Sequence, residues 1–171
     1  MTQKRSGFTL KGNPITLLGP ELKVGDQAPD AVLNKNLVEH VSLSDYAGKI
    51  RLISVTPSLD TGKCDIQARR FNQEAGELGD QVAVINVSVD LPPAQDRWCG
   101  AAGADHIIVL SDYKHNEFGL AYGLLIDELR LDMRAVLVVD KDNTIRHIEV
   151  LQEMTEEPNY DNAVAAVKAL L

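Results

Sequence analysis

Short apolar runs alternate with longer stretches of helical periodicity along most of the chain. The runs that suit strands lie at 41–43, 50–55, 82–89 and 107–110. Between the second and third of these runs, apolar side chains recur every three or four positions, which predicts a helix over 64–78. The side chains on this helical face are Cys64, Ala68, Phe71, Ala75 and Leu78.

The second half of the chain continues the alternation. Pro92 and Pro93 open a second helix at positions where a missing N–H does no harm. That helix carries Cys99 and is expected to end near Gly100 or Gly103. The later predicted elements are a helical turn at 118–122, a hairpin of strands 135–139 and 144–150, and a closing amphipathic helix over 160–171.

A hairpin is predicted at the N-terminus, because Thr9–Leu10 and Ile15–Leu18 flank the turn-rich link Lys11–Pro14. Strands that alternate with helices favour an α/β sandwich, with a mixed central sheet flanked by helices. The chain shows no break in composition, so we expect a single domain over residues 1–171.

Composition and charge narrow the class of protein. The chain has 44% apolar and 25% charged residues, as ordinary globular proteins do. Its net charge of -8 repels phosphate backbones, which argues against a nucleic-acid partner. No apolar run reaches the roughly 18 residues that a membrane span needs. The basic residues near the start are not followed by an apolar segment, so we expect no signal peptide and a cytoplasmic location.

The two cysteines, Cys64 and Cys99, are too few for a disulfide framework. They lie 35 positions apart and form no Cys-x-x-Cys pair, which argues against a thiol–disulfide oxidoreductase that acts on proteins. None of the four histidines stands at a metal-ligand spacing from either cysteine, so neither a metal nor a cofactor is expected.

The turn before Cys64 carries the candidate chemistry. It leads from a buried strand into a helix, so Cys64 falls in or near the first helical turn, where unpaired N–H groups and the helix dipole favour a thiolate. Thr61 is placed to cap this helix, with its hydroxyl within reach of the sulfur, and Pro57 stiffens the loop. A cysteine on an apolar helical face is also typical of a small buried hydrophobe, and spacing does not separate the two interpretations.

The pattern Pro57-x-x-x-Thr61-x-x-Cys64 resembles the active-site signature of the peroxiredoxins. The complete string from Pro57 to Cys64 is similar to that of their bacterial thiol peroxidase subfamily. Further similar segments follow in the same order almost from end to end, at 11–14, 90–101, 121–123 and 134–136. The resemblance implies a thioredoxin-like fold and a thiol-dependent peroxidase that acts on hydrogen peroxide and organic hydroperoxides.

The resemblance also implies roles for individual residues. Cys64 corresponds to the peroxidatic cysteine, which is oxidised to a sulfenic acid, and Pro57 to the proline that shields it. Thr61 and Arg134 correspond to the residues that orient the thiolate and the peroxide. Cys99 corresponds to the resolving cysteine, which implies a Cys64–Cys99 disulfide within one chain that thioredoxin reduces. The resemblance further implies a homodimer.

From the residues alone, other interpretations stay open. Arg134 is more typical of a surface arginine that enters a strand, although a guanidinium beside a thiolate would stabilise the thiolate. Cys99 is equally typical of a buried helix cysteine. A disulfide needs Cα atoms within about 4.4–6.8 Å, so cysteines on two helices predict local unwinding during the cycle. Pro93 and Trp98 stand where phenylalanine is common in the family.

Two alternative functions also stay open. A peroxide-sensing redox switch would use the same disulfide to signal to a protein partner. A structural domain would carry inert cysteines. Peroxide turnover separates the enzyme from the switch, and thiolate titration separates it from the structural domain.

Overall fold

A seven-stranded mixed sheet lies at the centre of the fold, seen here in a computed structural model that describes residues 1–171. In order across the sheet, its strands are β10 (Ile145–Val150), β9 (Ala135–Val139), β5 (Ile50–Val55), β6 (Val82–Ser88), β7 (Ile108–Ser111), β3 (Val32–Asn34) and β4 (His40–Ser42). The pairs β5–β6 and β6–β7 are parallel, whereas the remaining pairs are antiparallel. The mixed sheet predicted from the sequence is confirmed.

Helices cover this sheet, and they are α1 (Gly62–Leu78), α2 (Pro92–Ala102), α3 (Glu117–Ala121) and α4 (Tyr160–Lys168). Successive side chains of a strand point to opposite faces, so the central strands feed two cores. Ile50 and Leu52 pack in the core formed with α1, α2 and α4. Ile53 and Val55 pack in the core formed with α3 and the N-terminal hairpin. None of the helices is both long and apolar enough to cross a membrane.

The predicted N-terminal hairpin is confirmed and joins a second, three-stranded sheet. Its strands are β1 (Lys4–Leu10), β2 (Asn13–Leu18) and the short β8 (Leu125–Ile126). Lys11 and Gly12 form its two-residue turn with φ values of 49° and 79°, the left-handed geometry that matches the twist of a hairpin. The backbone N–H of Thr9 donates to Gln152 at 2.7 Å and that of Met154 donates to Thr9 at 2.8 Å, which fixes the hairpin tip beside the segment after β10.

The structure corrects the sequence analysis at several element boundaries. Helix α1 begins at Gly62 rather than at Cys64, which makes Cys64 its third residue. Helix α4 ends at Lys168 rather than at Leu171. Strands β3 and β8 were not predicted, because runs of three and two residues carry no periodicity and owe their conformation to the strands beside them.

Candidate active site

Cys64 lies where the chain leaves the central strand β5 and enters α1. Its side chain has no exposed surface. Thr61 occupies the N-cap position with extended backbone angles, and its carbonyl accepts the N–H of Asp65 at 2.9 Å. The N–H groups of the residues between them precede the first helical hydrogen bond, so they present positive partial charge next to the sulfur. The backbone therefore favours a negative charge at Cys64.

A buried guanidinium supplies the second favourable interaction. Nη2 of Arg134 lies 3.3 Å from Sγ of Cys64, although the two residues are 70 positions apart. The register of the sheet explains this contact, because β9 pairs with β5 so that Ala135 stands opposite Val55. Arg134 is only 2% exposed, and its charge is therefore poorly screened by water. A cation so placed stabilises a thiolate and can donate to an oxygen bound beside it.

Two further contacts hold the guanidinium in position. Nη1 of Arg134 donates to Oε1 of Gln67 at 2.9 Å, and Nε donates to the carbonyl of Met154, also at 2.9 Å. Gln67 is itself fully buried, and its amide nitrogen donates to Oγ of Ser54 at 2.9 Å and to the carbonyl of Val55 at 3.2 Å. Gln67 thus connects the guanidinium to strand β5, and the contacts with Gln67 and Met154 orient the guanidinium toward the sulfur.

The loop before α1 is held by a carboxylate at the start of α2. Asp90 accepts hydrogen bonds from Oγ of Ser58 and from the N–H of Leu59, both at 2.8 Å. The expectation that the Thr61 side chain caps α1 is wrong, since its hydroxyl makes no cap bond and donates to the carbonyl of Ser58 at 2.9 Å. The physical reason is that this donation holds the hydroxyl on the loop side. Its oxygen keeps lone pairs that can accept a hydrogen bond.

A cavity of about 380 Å³ opens above the sulfur. Four of the sequence-predicted site residues share its wall: Cys64, Thr61, Pro57 and Arg134. The other lining residues are Leu10, Lys11, Ser58, Gly62, Lys63, Leu131, Met154 and Thr155. The cavity thus combines an apolar side with polar groups beside the sulfur, an arrangement that suits an organic molecule with one polar reactive end.

Hydrogen bonds also stabilise the rim of this cavity. Donation from the side chain and N–H of Thr155, with further donation from Gly12 and Thr9, lowers the pKa of Glu153 to about 2. Glu153 therefore stays ionised through the physiological pH range and ties the hairpin tip to the segment that carries Met154.

Cys99 lies outside this cavity. It occupies α2, is half-buried, and is a free thiol like Cys64. It faces a separate groove, whose lining residues are Lys35, Asn36, Asp96, Cys99, Ile107, Ile108 and Val109. Burial, together with the negative charges of Asp96 and Asp105, raises the pKa of the Cys99 thiol. The structure thus brings together every predicted site residue except Cys99.

Gln67 and Asp90, which position the predicted site residues, were not predicted from the sequence. Gln67 had a readable signal, because it is a polar residue three positions after Cys64, next to the apolar stripe of α1. Asp90 lies just before the prolines that begin α2, where a carboxylate is common. Nothing in the sequence therefore indicated its hydrogen bonds to the loop before α1. No group of three or more His, Cys, Asp or Glu side chains is arranged to hold a metal ion.

Comparison with known proteins identifies the class. Residues 23–164 match the Redoxin family. A thiol peroxidase from Bacillus subtilis (strain 168) is 52% identical over 164 residues, which cover 96% of this chain and 98% of the relative. A thiol peroxidase from Halalkalibacterium halodurans is 51% identical over 166 residues, which cover 97% and 99% of the two chains.

Solved structures agree with this classification. A peroxiredoxin-like protein from Aquifex aeolicus has a TM-score of 0.90 and 37% identity, with 99% of each chain covered. A thiol peroxidase from Chromobacterium violaceum has a TM-score of 0.83 and covers 95% of each chain, and at 19% identity it shows the shared fold. The thioredoxin-like peroxiredoxin fold implied by the sequence is therefore confirmed.

The chain belongs to the Redoxin family. Within that family, identity of about one half over nearly the whole length places it among the bacterial thiol peroxidases. The resemblance recognised in the sequence is thus confirmed, and the chain is an enzyme of the peroxiredoxin type.

Proposed function

We propose that the chain reduces hydroperoxides at Cys64 and then forms a disulfide between Cys64 and Cys99. The observation that carries this proposal is the 3.3 Å contact between the Arg134 guanidinium and Sγ of Cys64 on the wall of the cavity. A thiol becomes a strong nucleophile only as the thiolate, and this contact favours the thiolate. Pro57 shields the anion from water on the loop side.

In the first step, the Cys64 thiolate attacks the terminal peroxide oxygen. The S–O bond forms as the O–O bond breaks, and the departing RO⁻ takes up a proton to leave as an alcohol, or as water from hydrogen peroxide. Negative charge grows on the departing oxygen, where Arg134 and the first-turn N–H groups can donate to it. The oxygen of the Thr61 hydroxyl accepts a hydrogen bond from the peroxide O–H and so orients the substrate. Cys64 is left as a sulfenic acid.

In the second step, Cys99 attacks the sulfenic acid sulfur, and water leaves as the disulfide forms. The two sulfurs face different cavities in the structure, so part of α1 or α2 unwinds to bring them within bonding distance. In the third step, a dithiol reductant of the thioredoxin type attacks the disulfide. It becomes oxidised in turn and restores both cysteines as thiols.

The setting of the enzyme is also a proposal. Residues 1–171 form one domain, since both cores are built on the same central sheet. A chain with only two cysteines suits a reducing compartment such as the cytoplasm. The apolar side of the cavity, with Leu10, Leu131 and Met154, supports organic hydroperoxides as substrates beside hydrogen peroxide. A homodimer is the expected assembly, and sedimentation at several concentrations tests it.

A peroxide-consumption assay with thioredoxin, its reductase and NADPH tests the reaction. Cys64→Ser should abolish activity, because no other group supplies the nucleophile. Cys99→Ser should consume one equivalent of peroxide and then recycle poorly. Sustained turnover of wild type separates an enzyme from a redox switch, which reacts without rapid recycling. Full activity of Cys64→Ser would remove the basis of the proposed function.

A further inference from the structure

The residues next to the two cysteines are bonded to each other. Asp65 follows Cys64 in α1, and Trp98 precedes Cys99 in α2. Nε1 of Trp98 donates to Oδ1 of Asp65 at 2.8 Å. This hydrogen bond links the two cysteine-bearing helices within one residue of each sulfur.

A third side chain closes the contact. Nε of Arg69 donates to both carboxylate oxygens of Asp65 at 2.9 Å, one helical turn along α1. The Arg69 guanidinium carbon also lies 5.9 Å from the centre of the Trp98 ring, a cation–π distance. Each of the three side chains thus contacts the other two, and we call Asp65, Arg69 and Trp98 the latch.

The latch holds α2 in an arrangement that does not allow the disulfide. Trp98 is 8% exposed and directs its polar N–H toward α1. Successive helical residues point about 100° apart, and Cys99 accordingly borders the groove beside β7 and not the Cys64 cavity. Formation of an S–S bond requires Cys99 to face Cys64, and a turn or unwinding of either helix that achieves this pulls Trp98 away from Asp65.

We propose that the latch is a set of positioning residues that sets the rate at which Cys99 resolves the Cys64 sulfenic acid. This inference rests on the proposed disulfide chemistry and adds a control point to it. An intact latch prolongs the life of the sulfenic acid, during which a second peroxide can oxidise it to a sulfinic acid. A weakened latch favours disulfide formation over that second oxidation.

Two variants weaken the latch in different ways. Trp98→Phe keeps an aromatic ring but removes the N–H donor together with the five-membered part of the indole, whereas Asp65→Asn removes the charge that both partners bind. Glu74→Gln is the matched control, because Glu74 makes the same type of bond to Arg70 at 2.9 Å, also one turn apart in α1. It takes no part in the latch.

Single-turnover kinetics separate the steps. The first step is measured in the Cys99→Ser background, and disulfide formation by acid quench, alkylation and mass spectrometry. We expect Trp98→Phe and Asp65→Asn to form the disulfide roughly five- to tenfold faster than wild type, because each variant loses one charge-assisted hydrogen bond. The rate of Glu74→Gln should be unchanged. The first step of Trp98→Phe should stay within about twofold of wild type.

Sulfinic acid yield gives a readout that a purely structural role would not move. Because resolution competes with the second oxidation, the yield at a given peroxide excess should fall as resolution accelerates, and by the same factor where sulfinic acid is the minor product. The double variant should be no faster than the faster single variant, since both break one bond. Trp98 is the sole tryptophan, so its fluorescence should change with disulfide formation and not with the first step.

The outcomes that overturn the latch are distinct from those that overturn the proposed function. If wild type forms a disulfide and Trp98→Phe forms it no faster, the latch is wrong and the peroxidase chemistry stands. Additive acceleration in the double variant also overturns the latch, because it shows two independent effects. If wild type reacts with peroxide without forming a Cys64–Cys99 disulfide, the resolution step of the proposed function and the latch fail together.

Discussion

The helices that carry the two cysteines are anchored to the sheet by the same device. In α1, the amide nitrogen of Gln67 donates to Oγ of Ser54 at 2.9 Å. In α2, that of Gln95 donates to Oγ of Ser88 at 3.0 Å. Both glutamines are almost completely buried. The difference lies in the other amide atom, because Oε1 of Gln67 accepts from Arg134, whereas Oε1 of Gln95 is buried without a partner.

This difference shows how one scaffold gives two thiols opposite surroundings. Near Cys64, the anchoring Gln67 also binds the guanidinium of Arg134, which favours a negative charge on the sulfur. Around Cys99, the nearby charges belong to Asp96 and Asp105, which add to burial in raising the pKa of the thiol. The surroundings of Cys64 therefore favour attack in the folded state, whereas those of Cys99 disfavour its thiolate.

Removal of the Arg134 guanidinium should have the largest effect on the difference between the surroundings of the two thiols. We expect Arg134→Gln to slow the first reaction with peroxide by about a hundredfold to a thousandfold, because both thiolate and departing oxygen lose a charged donor. Stopped-flow measurement in the Cys99→Ser background isolates this step. A rate within a few-fold of wild type would contradict the role proposed for Arg134.

Arg51→Gln is the matched control for this prediction. Arg51 is also 2% exposed, but its guanidinium donates to the carbonyl of Leu43 and to Asn143, at a distance from the cavity. Both variants remove a buried guanidinium, so both should lower the free energy of unfolding. Only Arg134→Gln should slow the reaction with peroxide.

The sequence predicted the elements of the site better than their assembly. Strand β5 has the predicted bounds 50–55, because a run of six residues rich in apolar and β-branched side chains is typical of a buried strand. The contact between Arg134 and Cys64 was only implied by resemblance. It depends on the register of β9 against β5, which is set by pairing between segments far apart in the chain.

Details of hydrogen bonding were also beyond the sequence. Thr61 stands at the N-cap as its position predicts. Its hydroxyl could accept a hydrogen bond from an N–H of the first helical turn or donate one to a loop carbonyl, and it donates to the carbonyl of Ser58. The bond between Trp98 and Asp65 joins separate helices and follows from their packing, which periodicity does not determine. The sequence thus indicated which face of a helix or strand carries a residue, but not the hydrogen-bond partner of that residue.

Replacement of the anchoring glutamines sharpens the comparison further. Gln67→Met leaves a buried Arg134 donor unpaired, so we expect a loss of about 2–3 kcal/mol in the free energy of unfolding and roughly tenfold slower reaction with peroxide. Gln95→Met removes an oxygen that already lacks a partner, so the loss in the free energy of unfolding should be about 1 kcal/mol, with the first step unchanged. Urea denaturation and stopped-flow kinetics measure both. Equal effects on the first step would show that the anchor, and not its link to Arg134, matters.

The smallest expected effect concerns the charges around Cys99. Asp96→Asn removes one of the two carboxylates that raise the pKa of this thiol, and burial remains as the larger cause. We therefore expect a modest fall in the pKa and about a twofold faster resolution near neutral pH. Asp142→Asn, in the turn between β9 and β10, changes the net charge equally and should have no effect. Ultraviolet titration of the Cys64→Ser variant, where Cys99 is the one remaining thiol, measures the pKa directly.

The pH dependence of resolution then tests whether Cys99 reacts from the folded or the unwound arrangement. A raised pKa means that the thiolate fraction, and with it the rate, increases as the pH rises toward that pKa. Unwinding removes the burial that is the first cause of the shift. If Cys99 attacks after unwinding, the midpoint of the rate profile should lie below the pKa titrated in the folded Cys64→Ser protein. Coincidence of the two values would mean that Cys99 attacks from its folded surroundings, and the proposed unwinding would then be confined to α1.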